Sequence, residues 1–152
     1  MKGGLWRIIS ASRRTDIPAF YSEWFMNRIE DGYFFKVNPF NPNQKKGISL
    51  SPHKVDVIVF WTKYPGPLME HLEELDRRGY QYYFQFTLNA YPTFFEPEMP
   101  SLKKRINLFQ KLSDRIGKEK VIWRYDPIIL SNVTKRDYHL EKFQYIANRL
   151  SN

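Results

Sequence analysis

The chain has 152 residues and carries 24 lysines and arginines against 16 aspartates and glutamates, a formal net charge of +8. Its 42% hydrophobic content supports a folded core and excludes a disordered chain, and no apolar stretch approaches the roughly 20 residues of a membrane-spanning helix. It contains no cysteine, so this chain alone supplies no disulfide, no thiol nucleophile and no cysteine ligand for zinc or an iron–sulfur cluster.

Strand-like and helix-like segments alternate along the first half of the chain. Residues 5–10 form a short apolar run that predicts a strand, and Pro18 then marks the start of a helix that ends at Gly32. Residues 33–38 predict a second strand, which a turn rich in Asn and Pro ends. Residues 55–61 are an almost continuous apolar run, which is typical of a strand buried on both faces.

The second half repeats this alternation. Three leucines at helical spacing predict a helix that ends at Gly79, and residues 80–87 predict an aromatic strand. The strongest helical pattern keeps one face apolar from residue 102 to residue 116. Residues 121–124 predict a fifth strand, and a capping box that begins at Thr134 predicts the start of a final helix.

Five strands separated by helices predict an α/β fold with a parallel sheet. Doubly wound and barrel forms are both compatible with that pattern. Residues 10–18 after the first strand contain no glycine, which counts against a dinucleotide-binding or P-loop fold and favours the barrel. A complete eightfold barrel takes about 250 residues. We therefore expect residues 1–152 to be a single domain, the N-terminal part of a (β/α) TIM-type barrel.

Polar residues follow each predicted strand, where a barrel builds its active site. Arginine and lysine at these ends would bind a carboxylate or a phosphate, and aspartate would orient the cations or act as acid and base. The candidate catalytic residues are Asp16, Lys63 and Asp126. The candidate cofactor-binding residues are Ser12, Arg13, Arg14, Thr15, Gln85, Thr87 and Arg124, and Asn38 ends the second strand. In the alternative interpretation Asp16 only caps the first helix and Arg124 only pairs with Asp126.

The three histidines do not share a metal-like spacing, so we predict no histidine metal site. The basic charge is concentrated in residues 77–152, which carry 14 basic and 7 acidic side chains. Such a surface suits either simple solvation or a nucleic-acid partner. The residues that would form a nucleic-acid surface are Lys103, Lys104, Arg105, Lys118, Lys120, Lys135 and Arg136.

Five segments together resemble a bacterial family known as domain of unknown function 1848. They are Ser-Arg-Arg-Thr-Asp-Ile-Pro-Ala-Phe at residues 12–20 and the segments 38–42, 59–63, 83–88 and 121–128. The resemblance covers the family's N-terminal portion, and Tyr64 replaces an asparagine of the family pattern. It implies a barrel related to radical S-adenosylmethionine enzymes, in which a C-terminal cysteine cluster, absent from this chain, holds a four-iron cluster beside S-adenosylmethionine.

These observations give one leading functional hypothesis and two alternatives. We expect the N-terminal part of a cytoplasmic barrel enzyme, radical-SAM-like when complete and inactive alone, with a small anionic ligand at the strand ends and no membrane partner. The alternatives are a basic nucleic-acid-binding module and a half-barrel that a second copy completes. An open half-barrel exposes its inner face, for which Val57, Val59, Trp61, Tyr82, Phe84 and Phe86 are the candidates.

Overall fold

The computed structural model describes residues 7–11 and 15–151. Its six strands are β1 (Ile8–Ala11), β2 (Tyr33–Asn38), β3 (Asn41–Ser49), β4 (Val57–Thr62), β5 (Tyr82–Thr87) and β6 (Val121–Arg124). Its six helices are α1 (Ile17–Phe20), α2 (Ser22–Asp31), α3 (Gly66–Met69), α4 (Leu72–Arg77), α5 (Leu102–Ile116) and α6 (Arg136–Leu150). The fold is therefore mixed α/β, as the alternating pattern predicts.

Four strands form a parallel sheet in the order β1-β4-β5-β6. Each is short and rich in β-branched or aromatic residues, the types that suit a pleated, largely buried surface. Strands that are consecutive in this sheet are also consecutive in the chain, apart from the intervening pair β2 and β3. The order therefore never reverses direction across the sheet.

The strand at Tyr33–Asn38 exists, but its predicted place in the parallel sheet is wrong. It pairs antiparallel with β3, and only Pro39 and Phe40 separate the two strands. A parallel partner requires a connection of about a dozen residues or more, whereas a two-residue connection permits only an antiparallel hairpin. The second strand of this hairpin is Asn41–Ser49, which begins within the turn predicted at residues 38–43 and takes in part of the short extended piece predicted around residues 48–50.

The helices cover one face of the parallel sheet. Phe25 of α2 contacts Phe60, and Phe109 of α5 contacts Phe86. Phe143 of α6 stacks on Trp123 with ring centroids 4.8 Å apart. These three strand residues lie on the same side, because paired residues in a parallel register share a face. The core lies between this face and the helices.

The opposite face of the sheet is more exposed. It carries Ile8, Val57, Val59, Trp61, Tyr83, Gln85, Ile122 and Arg124 by strand alternation. Ile8 and Ile122 are exposed, and Val59 is buried. Of the six candidates for an uncovered face, Val57, Val59 and Trp61 lie on this side of the sheet. Tyr82, Phe84 and Phe86 face the helices, because the register of β5 turns its even-numbered residues that way.

Helix ends follow local sequence signals in most places. Gly32 ends α2 in the left-handed conformation at φ 75°, and Gly117 follows α5 at φ 99°. The predicted capping box at Thr134 is wrong, because its hydroxyl donates to the Ile129 carbonyl and Lys135 occupies the capping position. The leucine-rich segment forms two short helices, α3 and α4, rather than one.

Candidate strand-end site

Asp16 joins two loops at the carboxyl edge of the sheet. It caps α1 by accepting a hydrogen bond from the Ala19 amide at 3.0 Å. Its second carboxyl oxygen accepts from the Lys63 amide at 2.7 Å. The loop after β1 is thereby held against the loop after β4. The capping role matches the alternative interpretation of Asp16, and the hydrogen bond from the Lys63 backbone amide brings two of the candidate residues together.

Two opposing effects act on the pKa of the Asp16 carboxyl. Burial raises its pKa above the usual value, because the charged form loses its hydration. Hydrogen bonds from the Lys63 amide and the Thr62 hydroxyl oppose the shift by stabilising the anion. Burial dominates, so the proton is held more tightly in the folded protein than in an unfolded chain.

Lys63 lies beside Glu96, a residue of the long loop between β5 and α5. Its ammonium forms an ion pair with the Glu96 carboxylate, and both side chains are partly exposed. Arg105 of α5 donates to the Pro100 carbonyl of the same loop at 3.0 Å. Burial lowers the pKa of Arg105, and the charge of Glu96 partly offsets that effect. Glu96 is not among the predicted site residues, because nothing in the sequence pattern of this loop relates it to β4.

Arg124 lies over the Trp61 ring on the open face of the sheet, with its guanidinium carbon 4.5 Å from the ring centroid. The same guanidinium forms an ion pair with Asp126. The Thr87 hydroxyl donates to the other Asp126 carboxyl oxygen at 3.4 Å. Three adjacent strands, β4, β5 and β6, therefore contribute to one cluster. Trp61 was expected only as an inner-face residue, and its contact with Arg124 was missed.

Asn89 anchors the loop after β6. It is fully buried and its side-chain amide donates to the Asp126 carbonyl at 3.0 Å. Its side-chain oxygen has no hydrogen-bond partner within residues 7–11 and 15–151. The Trp123 indole donates to the Leu88 carbonyl at 2.8 Å and ties the same two segments together. The position of Asp126 is thus set by the β5 end as well as by its own strand.

The structure brings together some of the predicted site residues and separates others. Lys63 meets Asp16, and Arg124 meets Asp126 and, through it, Thr87. Gln85 lies half-buried on the open face beside Trp61, its register partner. Thr15 is exposed, and Ser12, Arg13 and Arg14 lie outside the described residues. Asn38 is at the tip of the β2–β3 hairpin, so its placement at the parallel strand ends is wrong.

The histidines occupy three unrelated places. His53 is exposed in a short turn, His71 pairs with Glu23 at 3.0 Å, and His139 is buried between Tyr125 and the Ile129 carbonyl. In the part of the chain that the structure describes, no group of three His, Asp or Glu side chains is arranged to hold a metal ion.

The predicted basic surface is divided between distant places. Arg105 is only 4% exposed, so its assignment to a nucleic-acid surface is wrong: its guanidinium packs under the β5–α5 loop. Lys103 and Lys104 lie at the first turn of α5, whereas Lys118 follows its last turn. A 15-residue helix is about 22 Å long, so these lysines do not form one patch.

Comparison with known families finds one match, which covers almost the whole chain. The model of a domain of unknown function, DUF1848, matches residues 8–152. The chain belongs to the DUF1848 family. No curated protein and no solved structure matches this DUF1848 chain. Among its described helices, none has the length and apolar composition needed to cross a bilayer.

Proposed function

We propose that this DUF1848 chain is the N-terminal part of a parallel (β/α) barrel enzyme that binds an anionic ligand at its strand ends. The strand order without reversal supports a barrel over a doubly wound sheet, because right-handed connections that always move in one direction place every helix on one side. A doubly wound sheet reverses direction and carries helices on both faces. The open face then corresponds to the barrel interior.

The observation that carries the proposal is the cluster of Arg124, Trp61, Thr87 and Gln85 at the ends of three adjacent strands. Arginine offers five N–H donors in a planar fork, and one carboxylate engages at most two of them. Asp126 therefore leaves donors of Arg124 for a second oxyanion. The Trp61 face orients the fork, and the side chain of Arg124 retains 32% of its exposure.

The remaining predicted residues support this cluster in different ways. Asp16 holds the β1 and β4 ends together through the Lys63 amide. Lys63, paired with Glu96, places a second cation at the same edge. In this proposal Arg124 binds the ligand, while Asp16 and Asp126 position the loops and the guanidinium. Lys63 is the residue we assign to proton transfer.

A radical-SAM enzyme needs cysteine ligands for an iron–sulfur cluster and a site for S-adenosylmethionine, and this chain offers residues only for the second. Iron–sulfur clusters are held by cysteine thiolates, and none of the 152 residues is a cysteine. The residues of this chain therefore do not fit the cluster itself, which in a radical-SAM-like protein would take its ligands from another segment. An arginine fork does fit a carboxylate such as that of S-adenosylmethionine, which makes this molecule a suitable probe of the anion site.

Calorimetric titration of the chain with S-adenosylmethionine and with inorganic phosphate tests the proposal. We expect saturable binding of at least one of them, an Arg124→Ala variant that loses it, and an Arg124→Lys variant that keeps part of it. Arg115→Ala is the matched control, because Arg115 is an ion-paired arginine on α5, away from the strand ends. Equal loss in both alanine variants, or no binding of either probe, would contradict the anion site.

A further inference from the structure

The β2–β3 hairpin carries a surface that the proposed strand-end function does not use. Its base lies at Gly32 and Leu50, where the Leu50 amide donates to the Gly32 carbonyl at 2.7 Å. Arg7, which directly precedes β1, donates to the Ser49 carbonyl at 3.4 Å, so this base lies near the amino edge of the parallel sheet. The hairpin therefore leaves the domain at the edge away from Arg124 and Asp126.

One face of the hairpin packs on the domain and the other faces solvent. Phe34 and its cross-strand partner Ile48 are partly buried, and Phe34 packs against the core. Tyr33, Phe35 and Val37 alternate onto the opposite face and are all exposed. Aromatic side chains of this size are normally buried, so a row of them in water indicates an interaction surface.

The ring of Phe35 lies over the backbone of the facing strand. Gly47 is its cross-strand partner, and a Cβ at Gly47 would lie 3.7 Å from Phe35 Cε1. The inner side of the ring thus covers the hairpin while 58% of the residue stays exposed. Tyr33 supports it edge-on, with ring centroids 5.4 Å apart. The result is a supported ring with a face open to solvent.

The charge of the hairpin segment has one sign. Lys36, Lys45, Lys46 and Lys54 are exposed, and residues 32–55 contain no aspartate or glutamate. Lys45 lies on the Phe35 face as the cross-strand partner of Val37, whereas Lys36 and Lys46 face each other on the opposite face. Like charges in that arrangement repel and destabilise a hairpin unless an anion lies beside them. The charge pattern is therefore complementary to an extended polyanion.

The tip of the hairpin argues against insertion into a membrane. Apart from Phe40, residues 38–44 are asparagine, proline and glutamine. The Asn38 carboxamide accepts from the Phe40 amide at 3.0 Å and donates to the Gln44 side chain at 2.6 Å, so the tip is a hydrogen-bonded polar turn. The aromatic rings of Tyr33 and Phe35 lie instead on the side of the hairpin, near its base. Such a surface suits a long, extended ligand that lies across the two strands.

From these observations we infer that the β2–β3 hairpin binds single-stranded nucleic acid that passes around the exposed ribbon. A base stacks on Phe35, a phosphate pairs with Lys45 on the same face, and further phosphates pair with Lys36 and Lys46 on the opposite face. Every base has an aromatic face, so stacking on a supported ring accepts any sequence. Neutralising phosphates releases counterions, so the affinity depends on salt. This surface is separate from the strand-end anion site, and either can exist without the other.

Fluorescence anisotropy with labelled U12 RNA and T12 DNA tests this inference. We expect sequence-tolerant binding that weakens as salt rises. In the triple variant Lys36→Gln, Lys45→Gln, Lys46→Gln, the slope of log affinity against log salt should fall by at least about 0.7, the contribution of the single Lys45 contact, and by about 2 when phosphates reach both faces of the hairpin. The matched control Lys103→Gln, Lys104→Gln, Lys118→Gln removes the same charge elsewhere and should bind nearly as the parent does.

Stacking is tested separately from charge. Phe35→Ala should weaken binding about tenfold with an unchanged salt slope, and Phe35→Trp should retain it. Phe94→Ala removes an exposed ring of the β5–α5 loop and should have little effect. Thermal melts identify any variant that unfolds. If Phe35→Ala unfolds, the affinity of Phe35→Trp decides whether a ring at this position is needed for binding. Equal effects of the two lysine triples, tighter binding of a 12-base-pair duplex or of phosphatidylserine vesicles, or no binding at low salt would overturn the inference.

Discussion

The Asp16 carboxylate accepts hydrogen bonds that hold two loops together, although burial makes its ionised form less favourable. Burial raises its pKa, yet its two oxygens accept from the Ala19 and Lys63 amides and so fix two loops at the strand ends. A folded-state pKa above the unfolded value means that the folded protein binds the proton more tightly. The contribution of Asp16 to stability is therefore largest at low pH and decreases as the carboxyl ionises.

This sign gives a pH prediction. As pH rises from about 3.8 through the raised pKa of Asp16, the free energy of unfolding loses the part that came from the tighter proton binding. In Asp16→Asn this titration is absent. The stability difference between the parent and Asp16→Asn should shrink as pH rises across that window, as measured by urea unfolding at several pH values. A difference that is constant or grows with pH would contradict the assignment.

Phe84 and Phe40 represent the two extremes of aromatic burial in this chain. Phe84 is fully buried, with its ring centroid 5.0 Å from that of Phe60, whereas Phe40 is 95% exposed. We expect Phe84→Ala to reduce the free energy of unfolding by about 3 to 5 kcal/mol and Phe40→Ala to change it by less than about 0.5 kcal/mol. Denaturant melts of both variants measure this, and similar losses would show that the core is misplaced.

At the scale of elements, Gly32 ends α2 and starts the hairpin. Its φ of 75° requires the left-handed conformation, and nothing lies within 4 Å of the position a Cβ would take. Gly32→Ala should therefore cost about 1 kcal/mol through backbone strain alone. Gly47→Ala is the matched control, since Gly47 does not have a positive φ and a Cβ there makes only an ordinary contact with Phe35. Chemical denaturation should separate the two variants, and equal stabilities would argue against the left-handed cap.

Elements with a strong local signal could be predicted from the sequence. The apolar face of α5 from Leu102 to Ile116 and the glycine at its end depend only on nearby residues, and both are confirmed. The partner of β2 could not be assigned from the strand itself. Its side chains are compatible with either sheet, and the two-residue connection to β3 decides the pairing only once Asn41–Ser49 is known to be extended.

The candidate site shows the same division. Lys63 directly follows β4 and Arg124 is the last residue of β6, and both fall at one edge because parallel strands end together. Their partners differ in origin: Asp126 is two residues from Arg124, whereas Glu96 comes from a loop with no periodic pattern. A contact made by such a loop depends on its path through space, which local sequence does not determine.

For the whole molecule, the open sheet face and the free edge of β6 predict self-association. Ile122 lies on this face at the edge strand and is exposed. Apolar surface and unpaired strand edges favour pairing with another chain. We expect sedimentation at micromolar concentration to show oligomers or aggregates, and Ile122→Lys to reduce them without lowering the melting temperature. Leu140→Lys, on an exposed part of α6, is the control, and a monodisperse 18.4 kDa parent would contradict the half-barrel.

The hairpin also affects the order in which the chain folds. It lies within the connection between β1 and β4, whose flanking residues Arg7 and Asp56 meet although they are 49 positions apart. Closing so long a loop is entropically costly, whereas a hairpin forms locally within microseconds. By joining Tyr33 to Ser49 early, the hairpin shortens the remaining loop before β1 reaches its place. The hairpin thus lowers the entropic cost of pairing β1 with β4, although only modestly, because that cost grows slowly with loop length.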